Sequence, residues 1–148
     1  MEGAVSGLRE GLGEDLVAVV LFGSRARGEA GEGSDWDLLV VARGLPEGPL
    51  ERYALLKKLL PAAYRGEISA LARTPEEFTS GLPDLYLDIA FDGVILYDQN
   101  GYMAEKLRRL RELARRKGLR REVQGGDRIW RQTETPREGW SLSWEEVS

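Results

Sequence analysis

The chain has 148 residues, a length that fits one domain around one hydrophobic core, and it is 42% hydrophobic and 31% charged with a net charge of −4. It contains no cysteine and no histidine. This excludes a disulfide framework, a thiol nucleophile, a Cys- or His-ligated zinc and a histidine general base, so acid–base or metal chemistry must run on carboxylates. No apolar run reaches the roughly 18 residues of a membrane span, and Met1 to Gly13 lacks the apolar stretch of a signal peptide. The expected location is the cytoplasm.

In chain order, Val5, Leu8 and Leu12 share one helical face and predict a short amphipathic helix over 3–12, ended by Gly11 and Gly13. Residues 16–22, Leu-Val-Ala-Val-Val-Leu-Phe, form a continuous apolar run that predicts a fully buried strand. One helical turn is expected over 25–28 and a Gly- and Glu-rich loop over 29–34. Residues 35–41 predict a second buried strand with a polar start. Residues 49–60 predict a helix with Leu50, Ala54, Leu55 and Leu59 as core positions, disturbed at its end by Pro61.

A third strand is expected over 67–72. Thr74-Pro75-Glu76-Glu77 carries a helix-start signature: a Thr cap, Pro at the first helical position and an acidic first turn. Residues 84–91 predict a helix on which Asp84, Asp88 and Asp92 line one face, read as exposed. A short strand follows at 94–97. Met103, Leu107, Leu110 and Ala114 define an amphipathic helix from about 101 to 117, stopped by Gly118. Residues 119–132 suggest a hairpin around Gln124-Gly125-Gly126-Asp127, and the chain from Thr133 on reads as a polar, mobile tail.

The charge is unevenly spread. Residues 1–100 carry −8 and residues 101–148 carry +4, with nine Lys and Arg against two Glu over 102–121. A basic helix can contact nucleic acid or an acidic partner. Interleaved aromatics are missing, so a solvated outer face is the favoured reading and nucleic acid the less favoured one.

The chemistry concentrates in one window: buried strand, Gly23-Ser24, glycine-rich loop, then Asp35-x-Asp37 opening another buried strand. Strand alternation points Asp35 and Asp37 to the same side and turns Trp36 away from them, towards the core. Two carboxylates that close repel, which makes sense if a divalent cation lies between them. Hard oxygen ligands favour Mg²⁺ or Mn²⁺, and magnesium favours one or two carboxylates completed by substrate phosphates. Gly23 permits a sharp turn and a close approach of phosphate to backbone. The Ser24 hydroxyl and the N–H groups opening the next turn can donate to phosphate oxygens. Arg25 and Arg27 can neutralise a leaving pyrophosphate, or can be solvated turn residues.

Gly23-Ser24-Arg25-Ala26-Arg27-Gly28, followed at this spacing by Asp35-x-Asp37, resembles the nucleotidyltransferase signature of the DNA polymerase beta superfamily, and the short chain is most similar to its minimal branch. The resemblance is concentrated in residues 15–41. It extends to residue 98 through Thr74-Pro75-Glu76-Glu77-Phe78 and Asp92-Gly93-Val94-Ile95-Leu96-Tyr97.

It implies an α/β fold with a mixed central sheet of the polymerase-beta-like type and helices mainly on one side. The expected organisation is a nucleotidyltransferase core over 1–100, with the basic helix, hairpin and tail of 101–148 packed on it. It implies a nucleoside triphosphate, with ATP expected, held by Gly23 and Ser24, and two metal ions held by Asp35 and Asp37. It also implies a third carboxylate on a neighbouring strand. Serine stands at the aligned position, Ser69, and Glu67 lies two residues earlier on the same strand face, so either residue is left open for that place. The reaction implied is nucleotidyl transfer from the triphosphate to an acceptor hydroxyl, with release of pyrophosphate. Minimal members are often antitoxins, whose partner is a protein with an all-helical nucleotide-binding fold. The alternative is a degenerate binding module without turnover.

Overall fold

A computed structural model of the chain describes residues 1–29, 31, 34–61, 68–125, 127–132 and 142–147. Helix α1 (Glu2–Leu12) leads through a 3-10 turn into β1 (Leu16–Phe22). A four-residue helix α2 (Ser24–Arg27), β2 (Trp36–Ala42), α3 (Pro49–Leu59) and β3 (Ile68–Arg73) follow. Next come α4 (Pro75–Ser80), α5 (Asp84–Asp92), β4 (Val94–Asp98) and the long α6 (Tyr102–Arg116). A hairpin of β5 (Leu119–Gln124) and β6 (Asp127–Gln132) and a 3-10 turn at Trp144–Val147 complete the described chain.

The central sheet has the order β3-β2-β1-β4. Strand β1 runs antiparallel to β2 and β4, while β2 and β3 are parallel. This is the mixed α/β sheet expected from the sequence. Six of the seven β1 residues are buried, as are the last five of β2, because both strands are covered on both faces.

Alternation sorts their side chains into two layers. Ala18, Val20, Leu39 and Val41 pack against Phe78, α5 and α6. Val19, Leu21, Leu38 and Val40 pack against α1 and α3. More helical chain lies on the first face than on the second. The second layer depends on glycine: a β-carbon on Gly7 or Gly11 would overlap Leu59, so α1 and α3 approach closely because α1 has no side chain there.

The start of α4 forms as its sequence predicts. Thr74 Oγ1 accepts from the Glu77 N–H at 3.2 Å, and Glu77 Oε1 accepts from the Thr74 N–H at 2.8 Å, a reciprocal capping box. Helix α6 buries Met103, Leu107, Leu110, Leu113 and Ala114. Its first turn is capped by the Asp98 carboxylate, which accepts from the N–H groups of Met103 at 2.7 Å and Ala104 at 2.8 Å.

Three expectations change. In α3, Leu50 is 81% exposed and Ala54 is also exposed, so neither is a core residue; Leu56 takes the buried place. Asp88 and Asp92 are not simply exposed, since both accept from Arg121. Residues 142–147 fold back onto the domain. Leu142 and Val147 are buried, and Trp144 lies 5.1 Å from the Phe78 ring while its Nε1 donates to the Gly81 carbonyl at 2.8 Å. The expected tail at 133–141, including Trp140, lies outside the described residues.

The basic stretch is largely engaged within the chain. Arg108 bonds Glu105 and Glu112, and Arg109 bonds Glu105. Arg111 donates to the Ala90 carbonyl and Arg116 to the Glu146 carbonyl, and Lys117 pairs with Glu146. Paired in this way, these cations present much less free charge than their number suggests.

Candidate active site

The site is built where β1 ends. Gly23 leaves the strand with φ 75° and ψ −159°, a conformation open to glycine and strained for any other residue. The chain then makes the single turn of α2. The Gly23 carbonyl accepts from the N–H groups of Ala26 at 3.1 Å and Arg27 at 3.2 Å. Gly28, in the left-handed region at φ 72°, ends the turn, and the Glu29 N–H closes it on the Ser24 carbonyl at 3.0 Å. The first N–H groups of such a turn have no partner within it, which leaves the Ser24 end polar and donor-rich.

Across β1, Phe22 is the register partner of Asp37 on β2. The Asp37 carboxylate therefore comes up against Gly23, and a β-carbon on Gly23 would overlap its Oδ2. Sequence reasoning reserved this glycine for a phosphate; the structure gives it a second duty, making room for Asp37. Asp35 precedes β2 and is exposed. Burial pushes the Asp37 carboxyl above its ordinary pKa, the Asp35 charge pushes it further, and Arg27 pulls it down. The two carboxylates and Arg27 thus share one electrostatic site.

Trp36 turns the other way, as alternation predicts, and packs at the margin of the α1/α3 layer. The Arg25 guanidinium lies 4.4 Å from the Trp36 ring centroid and donates to the Ser34 carbonyl at 2.9 and 3.3 Å. Arg27 donates to Glu29 at 3.1 Å and lies 3.9 Å from Asp92. Both arginines are therefore held by protein groups and are not simply solvated turn residues.

On the far side of β2, Ser69 of β3 is the register partner of Asp37. The position paired with this half-buried aspartate on the neighbouring strand is thus a hydroxyl. Glu67, the other candidate for the third carboxylate, lies outside the described residues. Among the described residues no group of three or more Asp, Glu, His or Cys side chains gathers to hold a metal. Two carboxylates of raised mutual repulsion do fit a hard divalent cation whose remaining ligands come from phosphate.

An ionic clamp beside the site was not foreseen. Arg121 of β5 donates to Asp92 at 2.6 and 2.9 Å and to Asp88 at 3.0 Å, and Trp130 Nε1 donates to Asp88 at 3.0 Å. Arg128 of β6 bonds Glu29 at 2.6 and 2.9 Å. The hairpin is thereby tied to α5 and to the segment after α2. The i, i+4 spacing of Asp88 and Asp92 was visible in the sequence, but their cation lies about thirty residues away and carries no local signal.

Comparison with known proteins agrees with this geometry. A family model described as a nucleotidyltransferase domain matches residues 5–111. The chain belongs to that nucleotidyltransferase domain family. A relative from Methanocaldococcus jannaschii, named a putative protein adenylyltransferase, is 33% identical over 112 residues, covering 73% of this chain and 76% of the relative.

Two solved structures share the fold. One, a toxin–antitoxin with AMP-PNP, superposes with a TM-score of 0.58 at 19% identity, covering 78% of this chain and 86% of that one. The other is a tri-AMPylated HEPN toxin of Shewanella oneidensis in complex with MNT antitoxin, with a TM-score of 0.51 at 18% identity, covering 76% and 81%. The family generally uses divalent metal ions. No helix among the described residues is long and apolar enough to cross a membrane.

Proposed function

We propose that this chain transfers the adenylyl group of ATP to a hydroxyl of a partner protein and releases pyrophosphate. The observation that carries the reading is the contact of Gly23 with Asp37 beside Asp35, which sets a phosphate-sized turn against a carboxylate pair. Adenylyl as the group, and protein as the acceptor, are supported by the name of the Methanocaldococcus relative and by the toxin–antitoxin neighbours.

In this reading Asp35 and Asp37 hold Mg²⁺ or Mn²⁺, and Gly23 and Ser24 receive the phosphates. When bound, the cation would offset the charge of the carboxylates and the triphosphate together. Arg27 is the cation nearest Asp37 in effect and the better placed of the two arginines to follow charge onto pyrophosphate, once released from Glu29 and Asp92. Arg25 holds the Ser34–Trp36 segment in place. Glu67 is the proposed third carboxylate, as base or metal ligand, with Ser69 the alternative for that place. The partner is proposed to be a protein with an all-helical nucleotide-binding fold, as in toxin–antitoxin pairs.

A second reading, a binding module without turnover, is favoured by one observation: Ser69 and not an acid stands opposite Asp37. Calorimetric titration with ATP, with and without Mg²⁺, on the wild type and on Asp35→Asn/Asp37→Asn tests the site. Binding that needs both the metal and the aspartates is expected. Binding indifferent to either would remove the carboxylate pair from the account. Tight binding with no pyrophosphate release in the presence of a labelled partner would favour the second reading.

A further inference from the structure

Strand β3 is the last strand of the sheet, and no strand among the described residues pairs with its outer edge. A cavity of about 550 Å³ runs along that edge. Its lining includes every residue of β3 from Ile68 to Arg73, of both strand parities, so it follows the edge and does not sit over one face. The opposite wall is one face of α3, formed by Arg52, Tyr53, Leu56, Lys57 and Leu60, which recur at helical spacing. The space is thus a slot between an edge strand and a helix. Six strand residues at roughly 3.3 Å each give it a length of about 20 Å.

The ends of the slot differ. Asp35 lines the end beside Ile68, because Trp36 and Ile68 are register partners. At the other end the Ala72 carbonyl accepts from Arg52 at 3.2 Å and from Arg73 at 2.8 Å, which marks the even-numbered backbone groups as outward-facing and closes the edge there. Ala70 has the same parity, and its side chain is exposed. On the lining Tyr53 is 64% exposed, apolar surface open to a partner.

Charge decides between classes of occupant. The lining carries Asp35, Glu47 and Glu77 against Arg52, Lys57 and Arg73, a balanced set. A polynucleotide needs a net cationic track. A balanced, partly apolar slot beside a strand edge that no described strand covers fits an extended polypeptide, which bonds through its main chain and places alternate side chains in pockets.

We propose that the slot between α3 and β3 is the acceptor site, taking an extended segment of a partner protein as an added strand on β3. This rests on the nucleotidyl-transfer reading and adds how the acceptor is held. The segment pairs along Ile68–Ala70 and delivers a hydroxyl-bearing side chain to the Asp35 end. There the hydroxyl oxygen bonds to the α-phosphorus, the bond from that phosphorus to the pyrophosphate oxygen breaks, pyrophosphate leaves and the hydroxyl proton passes by way of the base of that reading to water.

The test uses the full chain, Mg²⁺ and ATP labelled at the α-phosphorus. The probes are immobilised seven-residue peptides with a central Tyr, Ser or Thr and varied flanks, and an RNA oligonucleotide with a free 3′-hydroxyl. Ala70→Pro removes an outward N–H, a change that edge strands tolerate. Tyr53→Ala alters the exposed rim and leaves the fold intact. Each is expected to lower peptide labelling about tenfold, the factor carried by one or two lost hydrogen bonds, with ATP affinity unchanged. Undiminished labelling by both variants overturns the proposal, as does labelling of the RNA in place of the peptides. ATP binding by the wild type without peptide labelling overturns the slot alone. No ATP binding overturns the nucleotidyl-transfer reading and the slot with it.

Discussion

Gly23→Ala is the substitution that separates the parts of the site most cleanly. At φ 75° and ψ −159° an alanine sits in a region essentially reserved for glycine, at a cost of about 1–3 kcal/mol. The new β-carbon also overlaps Asp37 Oδ2, so the carboxylate must move from its place opposite Phe22. For a chain of this size each kcal/mol shifts the melting temperature by about 2–4 °C, giving an expected fall of about 2–12 °C. Thermal unfolding followed by circular dichroism reads this directly, and ATP titration with Mg²⁺ is expected to show binding lost. The two causes are separable by a double-mutant cycle with Asp37→Ala. Without the carboxylate the steric part disappears and the backbone part stays, so Gly23→Ala is expected to cost less in that background. Equal cost in both backgrounds, or a Gly23→Ala protein that melts and binds like the wild type, would refute the close approach of glycine and carboxylate.

Three further outcomes follow from the same geometry. The raised pKa of Asp37 means that the folded chain holds its proton more tightly than the unfolded chain, whose aspartate titrates near about 3.9. Stability is therefore lost as pH rises from that value through the higher folded pKa, and metal-free Asp37→Asn is expected to keep it, with a flatter profile of melting temperature against pH in the presence of a chelator. Arg121→Ala leaves Asp88 and Asp92 without their shared cation, and urea unfolding is expected to show a loss of about 1–3 kcal/mol. Adding Asp88→Asn and Asp92→Asn should restore part of that loss. Ser69→Asp places a carboxylate opposite Asp37 on β3, and calorimetric titration with Mn²⁺ is expected to show tighter binding than in the wild type; unchanged binding would mean that Ser69 does not face the metal position.

The legible parts of the molecule were those whose signals are local. The apolar run Leu16–Phe22 is a strand because nothing in it can face water, and the stripe from Met103 to Ala114 is a helix because its period is helical. Thr74 and Glu77 meet because a capping box spans only three residues. The candidate site was legible for the same reason: Gly23, Ser24, Asp35 and Asp37 occupy one short window joined by adjacent strands. The illegible parts depend on distant partners. Leu50 looks like a core residue until α3 is seen to turn Leu56 inward and leave Leu50 in solvent. Asp88 and Asp92 look solvated until the hairpin brings Arg121 to them. Trp144 has no periodic context, and only the fold places it on Phe78 and Tyr86.

The most direct test of the central claim follows the fate of the phosphorus. The chain is incubated with Mg²⁺ and the peptide acceptors in two parallel reactions, one with ATP labelled at the α-phosphorus and one with ATP labelled at the γ-phosphorus. Nucleotidyl transfer at the Asp35–Asp37 site predicts that the acceptor gains only the α-label, that the γ-label leaves as pyrophosphate, and that Asp35→Asn/Asp37→Asn abolishes both. Transfer of the γ-label to the acceptor, or α-label transfer that survives loss of both aspartates, would contradict it.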